Sequence, residues 1–170
     1  MSPDADLTAE DRREVLEVLL EDARQSTDDV ARQTGLSEDA AAAAIEALEA
    51  EGVIRGYTAV VDWERIDDDR VSAQVELNVE LDRETSYTDI SRRIAKFPAV
   101  DSLRLVSGEY DFAVDVVGES MHDVSDFIAE RIAPIPEVTQ TVTHFVMTTY
   151  KDRGIDFDGE DEDDRLSVSP

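Results

Sequence analysis

The sequence predicts an α+β chain: a helix-turn-helix unit over residues 7–61 and a ferredoxin-like βαββαβ unit over 71–150, joined by a linker at 62–70 and followed by an acidic disordered tail at 151–170. Three observations predict it. Two short segments, each opened by a capping Ser, flank the turn Thr34-Gly35-Leu36. Residues 71–81 alternate plainly, with Val71, Ala73, Val75, Leu77, Val79 and Leu81 on one face and Ser72, Gln74, Glu76, Asn78 and Glu80 on the other. Beyond them, helical and strand periods follow one another in the order that folds as an antiparallel four-stranded sheet with both helices on one face.

Each element has a local cause. Thr8-x-x-Asp11 reads as a capping box for a first helix with Val15, Leu16, Leu19 and Leu20 at helical spacing. Ser26-x-x-Asp29 opens a second helix carrying Val30 and Ala31, Gly35 permits the turn, and Ser37 caps a third helix that buries Ala41, Ala44, Ile45 and Leu48 and stops at Gly52. Residues 53–61 are β-branched or aromatic with one Gly, which suits a strand. Ser86-x-x-Asp89 opens a helix with Tyr87, Ile90, Ile94 and Phe97, ended by Pro98. Strands at 100–106 and 110–117 join through the tight turn Ser107-Gly108-Glu109. Ser120-x-x-Asp123 caps a helix with Val124, Phe127, Ile128 and Ile132, closed by Pro134 and Pro136, and residues 138–150 form the last strand. One sheet face is left without a helix, so a homodimer or higher assembly is expected.

Composition bounds the function. At 170 residues the chain can bury a sizeable core. Sixteen basic against forty-two acidic residues give a net charge of −26, which repels polyanions. An acidic, solvated surface of this kind suits a halophilic, salt-filled cytoplasm, where the Debye length shrinks to roughly 3 Å at 1 M. Cysteine is absent, which excludes disulfides, thiolate metal sites and thiol redox chemistry. Residues 1–10 lack cationic and apolar targeting regions, and no run approaches the roughly 18 apolar residues of a membrane span. A cytoplasmic protein without a membrane partner is expected. His122 and His144 lie on separate elements with no third ligand, so no metal is expected. Acidic pairs such as Asp68-Asp69 and Asp163-Asp164 are too abundant to signal acid/base work, and no phosphate-cradling loop, nucleophile elbow or triad order occurs. Neither an enzyme nor a cofactor is expected.

A helix-turn-helix lays its second helix on DNA. Here that helix, residues 37–51, holds Glu38, Asp39, Glu46, Glu49 and Glu51 and no Lys or Arg. Residues 7–60 carry five basic residues against thirteen acidic ones, a net charge of −8. The layout points to double-stranded DNA, and the charge argues against it. A ligand-sensing or protein-binding module that has lost direct DNA contact is the alternative reading.

The chain resembles the Lrp/AsnC, or feast/famine, family of prokaryotic transcription regulators over roughly residues 7–150. The resemblance is carried by Asp28-Val30-Ala31, Thr34-Gly35-Leu36-Ser37, Ile45-x-x-Leu48-Glu49-x-Glu51-Gly52-Val53-Ile54-Arg55-Gly56-Tyr57 and Asp62. In the second half it is carried by Gly108-Glu109-Tyr110-Asp111 and Val138-Thr139-Gln140-Thr141-x-Thr143. It implies a winged-type helix-turn-helix and a sensing domain that dimerises through its sheet. It also implies assembly into octamers or other rings, with a small effector, usually an amino acid, bound between dimers.

Candidate DNA contacts are Ser37 at the helix N-terminus, Arg32 before the turn, and Arg55 and Tyr57 beyond the helix. Ala40–Ala44 offer only methyl contact to thymine, or form a strong helix packed on its neighbours. The resemblance makes Gly108, Glu109, Tyr110 and Asp111 the effector loop. Asp111 can accept from an ammonium group or cap nearby N–H groups. Thr139, Thr141 and Thr143, expected on one strand face, can add hydroxyls, or serve as a β-favouring strand at a subunit contact.

Overall fold

Thr8 accepts from the Asp11 N–H at 3.1 Å while the Asp11 carboxylate accepts from the Thr8 N–H at 2.8 Å, so the first helix, α1 (Ala9–Glu21), starts at a completed capping box. The computed structural model describes residues 7–66, 70–83 and 85–157. It divides into two compact units between Ala59 and Val60.

In the first unit α2 (Thr27–Thr34) and α3 (Glu38–Ala50) are capped by Ser26 and Ser37, and Gly35 turns between them at φ 72°. That left-handed conformation disfavours any residue with a Cβ. Val15, Val30, Ala31, Ala41, Ala44 and Leu48 form the core, with Leu7, Leu16, Val18, Leu19, Leu36, Ile45 and Ile54 packed around it. Each fully buried branched side chain contributes about 1.5–3 kcal/mol. Leu20 departs from the predicted apolar face and is 83% exposed. At about 100° per residue it lies roughly 140° round the helix from Val15, beyond the reach of α2 and α3. Residues 53–61, predicted as a strand, run without pairing: among the described residues this unit offers no strand edge, and Val53 and Tyr57 are exposed.

The second unit opens with a single 3₁₀ turn, Trp63–Arg65, inside the predicted linker. Its sheet contains β1 (Val71–Val79), β2 (Val100–Leu105), β3 (Phe112–Gly118) and β4 (Val138–Phe145), in the spatial order β2-β3-β1-β4 with every neighbouring pair antiparallel. Two helical segments, α4 (Tyr87–Ile94) and α5 (Met121–Phe127), supply Ile90, Ile94 and Val124 to the core over Ala73, Val75, Leu77, Phe112, Val114 and Val116. The predicted last helix continues past Phe127 as a π turn, Ile128–Ile132, which still buries Ile128 and Ile132. The opposite face carries Gln74, Glu76, Asp115 and His144, which the register places beside one another.

Three predicted boundaries move. Leu81 falls past the end of β1 and is exposed. The hairpin between β2 and β3 is wider than a tight turn, because β3 begins only at Phe112 and Val106 N–H donates to the Asp111 carbonyl at 2.9 Å. The last strand ends at Phe145, opposite Ala73, with one further ladder bond from the Val146 N–H to the Ser72 carbonyl; beyond it Val71 and Ser72 of β1 pair with β3 alone. The tail predicted as disordered from residue 151 instead opens with a small hairpin, β5 (Lys151–Asp152) and β6 (Ile155–Asp156), turned by Arg153 and Gly154 at φ 45° and 88°. Residues 158–170, with Asp163-Asp164, and residues 67–69, with Asp68-Asp69, lie outside the described residues. No helix among the described residues is long and apolar enough to cross a membrane.

Candidate nucleic-acid interface and effector loop

Helix α3 presents a short polar end. The Ser37 hydroxyl accepts from the Ala40 N–H at 3.2 Å, so it is engaged in capping the helix. Arg32, in the last turn of α2, pairs with Asp28 at 3.5 Å and with Asp29. The Asp29 carboxyl is held below its ordinary value of 3.8, first by the Ser26 hydroxyl and then by Arg32. The Tyr57 hydroxyl donates to Glu49 at 2.8 Å. Partial burial and then that carboxylate push the Tyr57 phenol above 10.0. The Arg55 guanidinium lies across Gly52, with Nη1 3.4 Å from where a Cβ would stand.

These four residues do not form one site. Arg32 and Ser37 flank the turn, whereas Tyr57 and Arg55 contact the far end of α3, a 13-residue helix and therefore about 20 Å long. Of the other cations in the unit, Arg12 pairs with Glu51 and Arg13 with Glu17. Among the described residues, Arg24 and Arg55 are the cations of this unit outside any ion pair.

The loop at 107–111 sits at the end of the sheet where β1 finishes and β4 begins. Gly108 has φ 153°, a backbone that favours glycine, and Glu109 is exposed with Tyr110 half-buried beside it. Asp111 is engaged internally: its Oδ2 accepts from the Val79 N–H at 2.9 Å, its Oδ1 from the Tyr87 hydroxyl at 3.2 Å, and its own N–H donates to the Leu77 carbonyl at 2.9 Å. Its carboxylate raises the Tyr87 phenol above 10.0, and Tyr87 meets Phe112 edge-on at 5.8 Å. Asp111 therefore ties α4 to the end of β1.

The threonines also divide. Thr141 and Thr143 pair with Leu77 and Val75 and so share the helix-covered face, half-buried, with no hydrogen bond on their hydroxyls among the described residues. Thr139 has no partner in that pairing. It is the extra residue where the register slips at Asn78/Val79, and its Oγ1 donates to the Asn78 carbonyl at 3.1 Å. Asp111 and Thr139 thus hold adjacent residues of β1 from its two sides.

Sequence reasoning missed Tyr87 as the partner of Asp111, and Arg93, whose ion pair with Glu137 ties α4 to the start of β4 and holds the Glu137 carboxyl below 4.5. The signal for both was an ordinary amphipathic helix. His144 meets Glu76 on the open sheet face at 3.3 Å and His122 meets Asp126 at 3.3 Å. No group of three His, Asp or Glu among the described residues is arranged to hold a metal ion.

Two family models match the chain: a winged helix-turn-helix DNA-binding model at residues 12–55 and the Lrp/AsnC ligand binding domain at residues 72–155. YugG of Bacillus subtilis, described as an HTH-type transcriptional regulator, is 35% identical over 162 residues, covering 95% of this chain and 98% of its own. The proline dehydrogenase transcriptional activator of Rhizobium radiobacter is 27% identical, over 83% of this chain and 90% of its own. The leucine response regulatory protein LrpA of Mycobacterium tuberculosis superposes with a TM-score of 0.71 at 25% identity, covering 86% of this chain and 97% of its own. A transcriptional regulator of Neisseria meningitidis in complex with L-Met superposes at 0.68 and 21% identity, over 85% of this chain and 93% of its own.

Proposed function

Because the chain belongs to the Lrp/AsnC family of transcriptional regulators, pairing a DNA-binding helix-turn-helix with a ligand-binding domain, we propose that it is a cytoplasmic regulator of the halophilic type whose assembly responds to a small effector such as an amino acid. The observation that carries this reading is the convergence of the 107–111 loop and the start of β4 at one end of the sheet, where the Thr141 hydroxyl and the Glu109 carboxylate have no hydrogen bond or ion pair among the described residues. An α-amino acid presents an ammonium group to a carboxylate and a carboxylate to a hydroxyl donor, the groups that Glu109 and Thr141 supply. The Neisseria relative, solved with L-Met, makes that ligand class the first to test.

The sheet face opposite α4 and α5 is the surface on which a second copy docks in this reading. There the Arg104–Asp115 pair, the Ser102–Asp115 hydrogen bond and the Glu76–His144 pair supply complementary polar groups. The ligand acts through its different affinity for two assemblies. The acidic surface keeps the regulator soluble in concentrated salt, which in turn screens the repulsion between the −26 chain and DNA.

Calorimetric titration of the full chain with the common amino acids in molar potassium chloride, followed by sedimentation with and without the ligand found, tests this reading. Saturable binding that shifts the oligomer distribution and weakens in Glu109→Ala and Thr141→Val supports it. Binding of no amino acid, or binding untouched by both variants, contradicts it.

A further inference from the structure

The exposed stripe of α3 holds hydrogen-bond acceptors and methyl groups and no side-chain donor. Asp39, Ala43 and Glu46 recur at helical spacing on the exposed side, with Ala42 half-buried beside them, while Ala41, Ala44 and Leu48 on the opposite side are buried. Glu49 and Glu51, toward the far end, are engaged by Tyr57 and Arg12. Asp39 and Glu46 have no hydrogen bond or ion pair among the described residues, and residues 37–51 contain no Arg, Lys, Asn or Gln.

That inventory restricts what a helix in the major groove can read. Guanine shows two acceptors there, O6 and N7, and repels a carboxylate. Adenine sets the N7 acceptor beside its N6 donor, so a carboxylate meets one favourable and one unfavourable neighbour. Cytosine offers its N4 amine alone, and thymine offers a methyl group against which alanine packs. We propose that α3 reads pyrimidine edges, with Asp39 and Glu46 accepting from cytosine N4 amines and Ala43 and Ala42 packing on thymine methyls, and that it makes no direct contact to guanine. This deepens the reading of the first unit as the DNA-binding unit and rests on it.

The test selects sites from random duplexes with the full chain in about 2 M potassium chloride, where charge repulsion is screened. The selected duplex is then altered atom by atom. Deoxyuridine for thymine removes one packed methyl and weakens binding about fourfold per contacted base. 7-Deazaguanine removes the guanine N7 acceptor and leaves binding within about twofold, because no side chain of α3 donates to it. Glu46→Gln, a surface change on a helix otherwise untouched, reduces a cytosine preference of about tenfold to less than about threefold at one position. Tight binding by the parent protein that collapses with 7-deazaguanine and ignores both deoxyuridine and Glu46→Gln overturns the pyrimidine code and leaves the DNA-binding reading standing. Recovery of no selected site overturns both.

Discussion

Replacing Asp111 by Ala removes one acceptor from two donors at once, the Val79 N–H at 2.9 Å and the Tyr87 hydroxyl at 3.2 Å, both partly buried. A hydrogen bond to a charged group contributes about 1.5–3 kcal/mol, and its loss leaves a donor unsatisfied. Taking the lower end for each, because solvent reaches both, gives a loss of about 3 kcal/mol. For a domain of about 100 residues, each kcal/mol moves the melting point by about 4–8 °C, so the second unit should melt roughly 12–24 °C lower. Tyr87→Phe removes a single donor while keeping the ring against Phe112, and should cost about 1 kcal/mol. Combining it with Asp111→Ala should add little, because the two changes delete the same contact. Thermal melting of the four proteins in molar potassium chloride, followed by circular dichroism, measures all of this. An Asp111→Ala protein melting within about 3 °C of the parent, or full additivity of the two changes, refutes the clamp at β1 and returns Asp111 to the role of a free ligand for the effector.

Ser37→Ala removes the acceptor of the Ala40 N–H and should destabilise the first unit by about 1 kcal/mol, read as a lower midpoint in chemical denaturation. Thr139→Val deletes the donor to the Asn78 carbonyl at the slip in register, and should speed amide exchange at the end of β1 without moving the exchange of α1. The carboxyls of Asp11, Asp29 and Asp89 are each held below 3.8, first by the hydroxyls of Thr8, Ser26 and Ser86. Since these folded-state values are depressed, the stability they confer is complete above 3.8 and is lost as pH falls through the lowered values. Titration of the melting point below pH 4 should therefore show a fall that becomes shallower in Asp11→Asn.

What the sequence made legible is local. The caps at Thr8, Ser26, Ser37, Ser86 and Ser120 are satisfied three residues on, so residue type and spacing suffice to find them. The alternation in β1 was equally visible because one face is buried under two helices. The misplaced elements are those whose limits depend on a partner. Residues 53–61 have strand composition and no strand edge to meet, and residues 146–150 leave the ladder with β1 after the single bond from the Val146 N–H to the Ser72 carbonyl. The Asp111 contacts span 24 and 32 residues of sequence, so nothing in Gly108-Glu109-Tyr110-Asp111 shows that its last member is already engaged. Arg32 and Tyr57 read as exposed DNA contacts, and the acidic composition that makes the chain unusual is what occupies them, through Asp28, Asp29 and Glu49.

A helix-turn-helix with so few available cations should hold DNA with little release of counterions. With Arg24 and Arg55 as the cations outside ion pairs among the described residues, at most two phosphates are neutralised by each unit, and the logarithm of affinity should fall with the logarithm of salt at a slope no steeper than about −2 per protomer engaged, or about −4 for a dimer. Measuring the affinity of the full chain for a selected duplex from about 0.2 to 2 M potassium chloride tests this most directly. For a dimer on the duplex, a slope between about −4 and zero, or a rise in affinity with salt, is the predicted result; a slope of about −8 or steeper contradicts it.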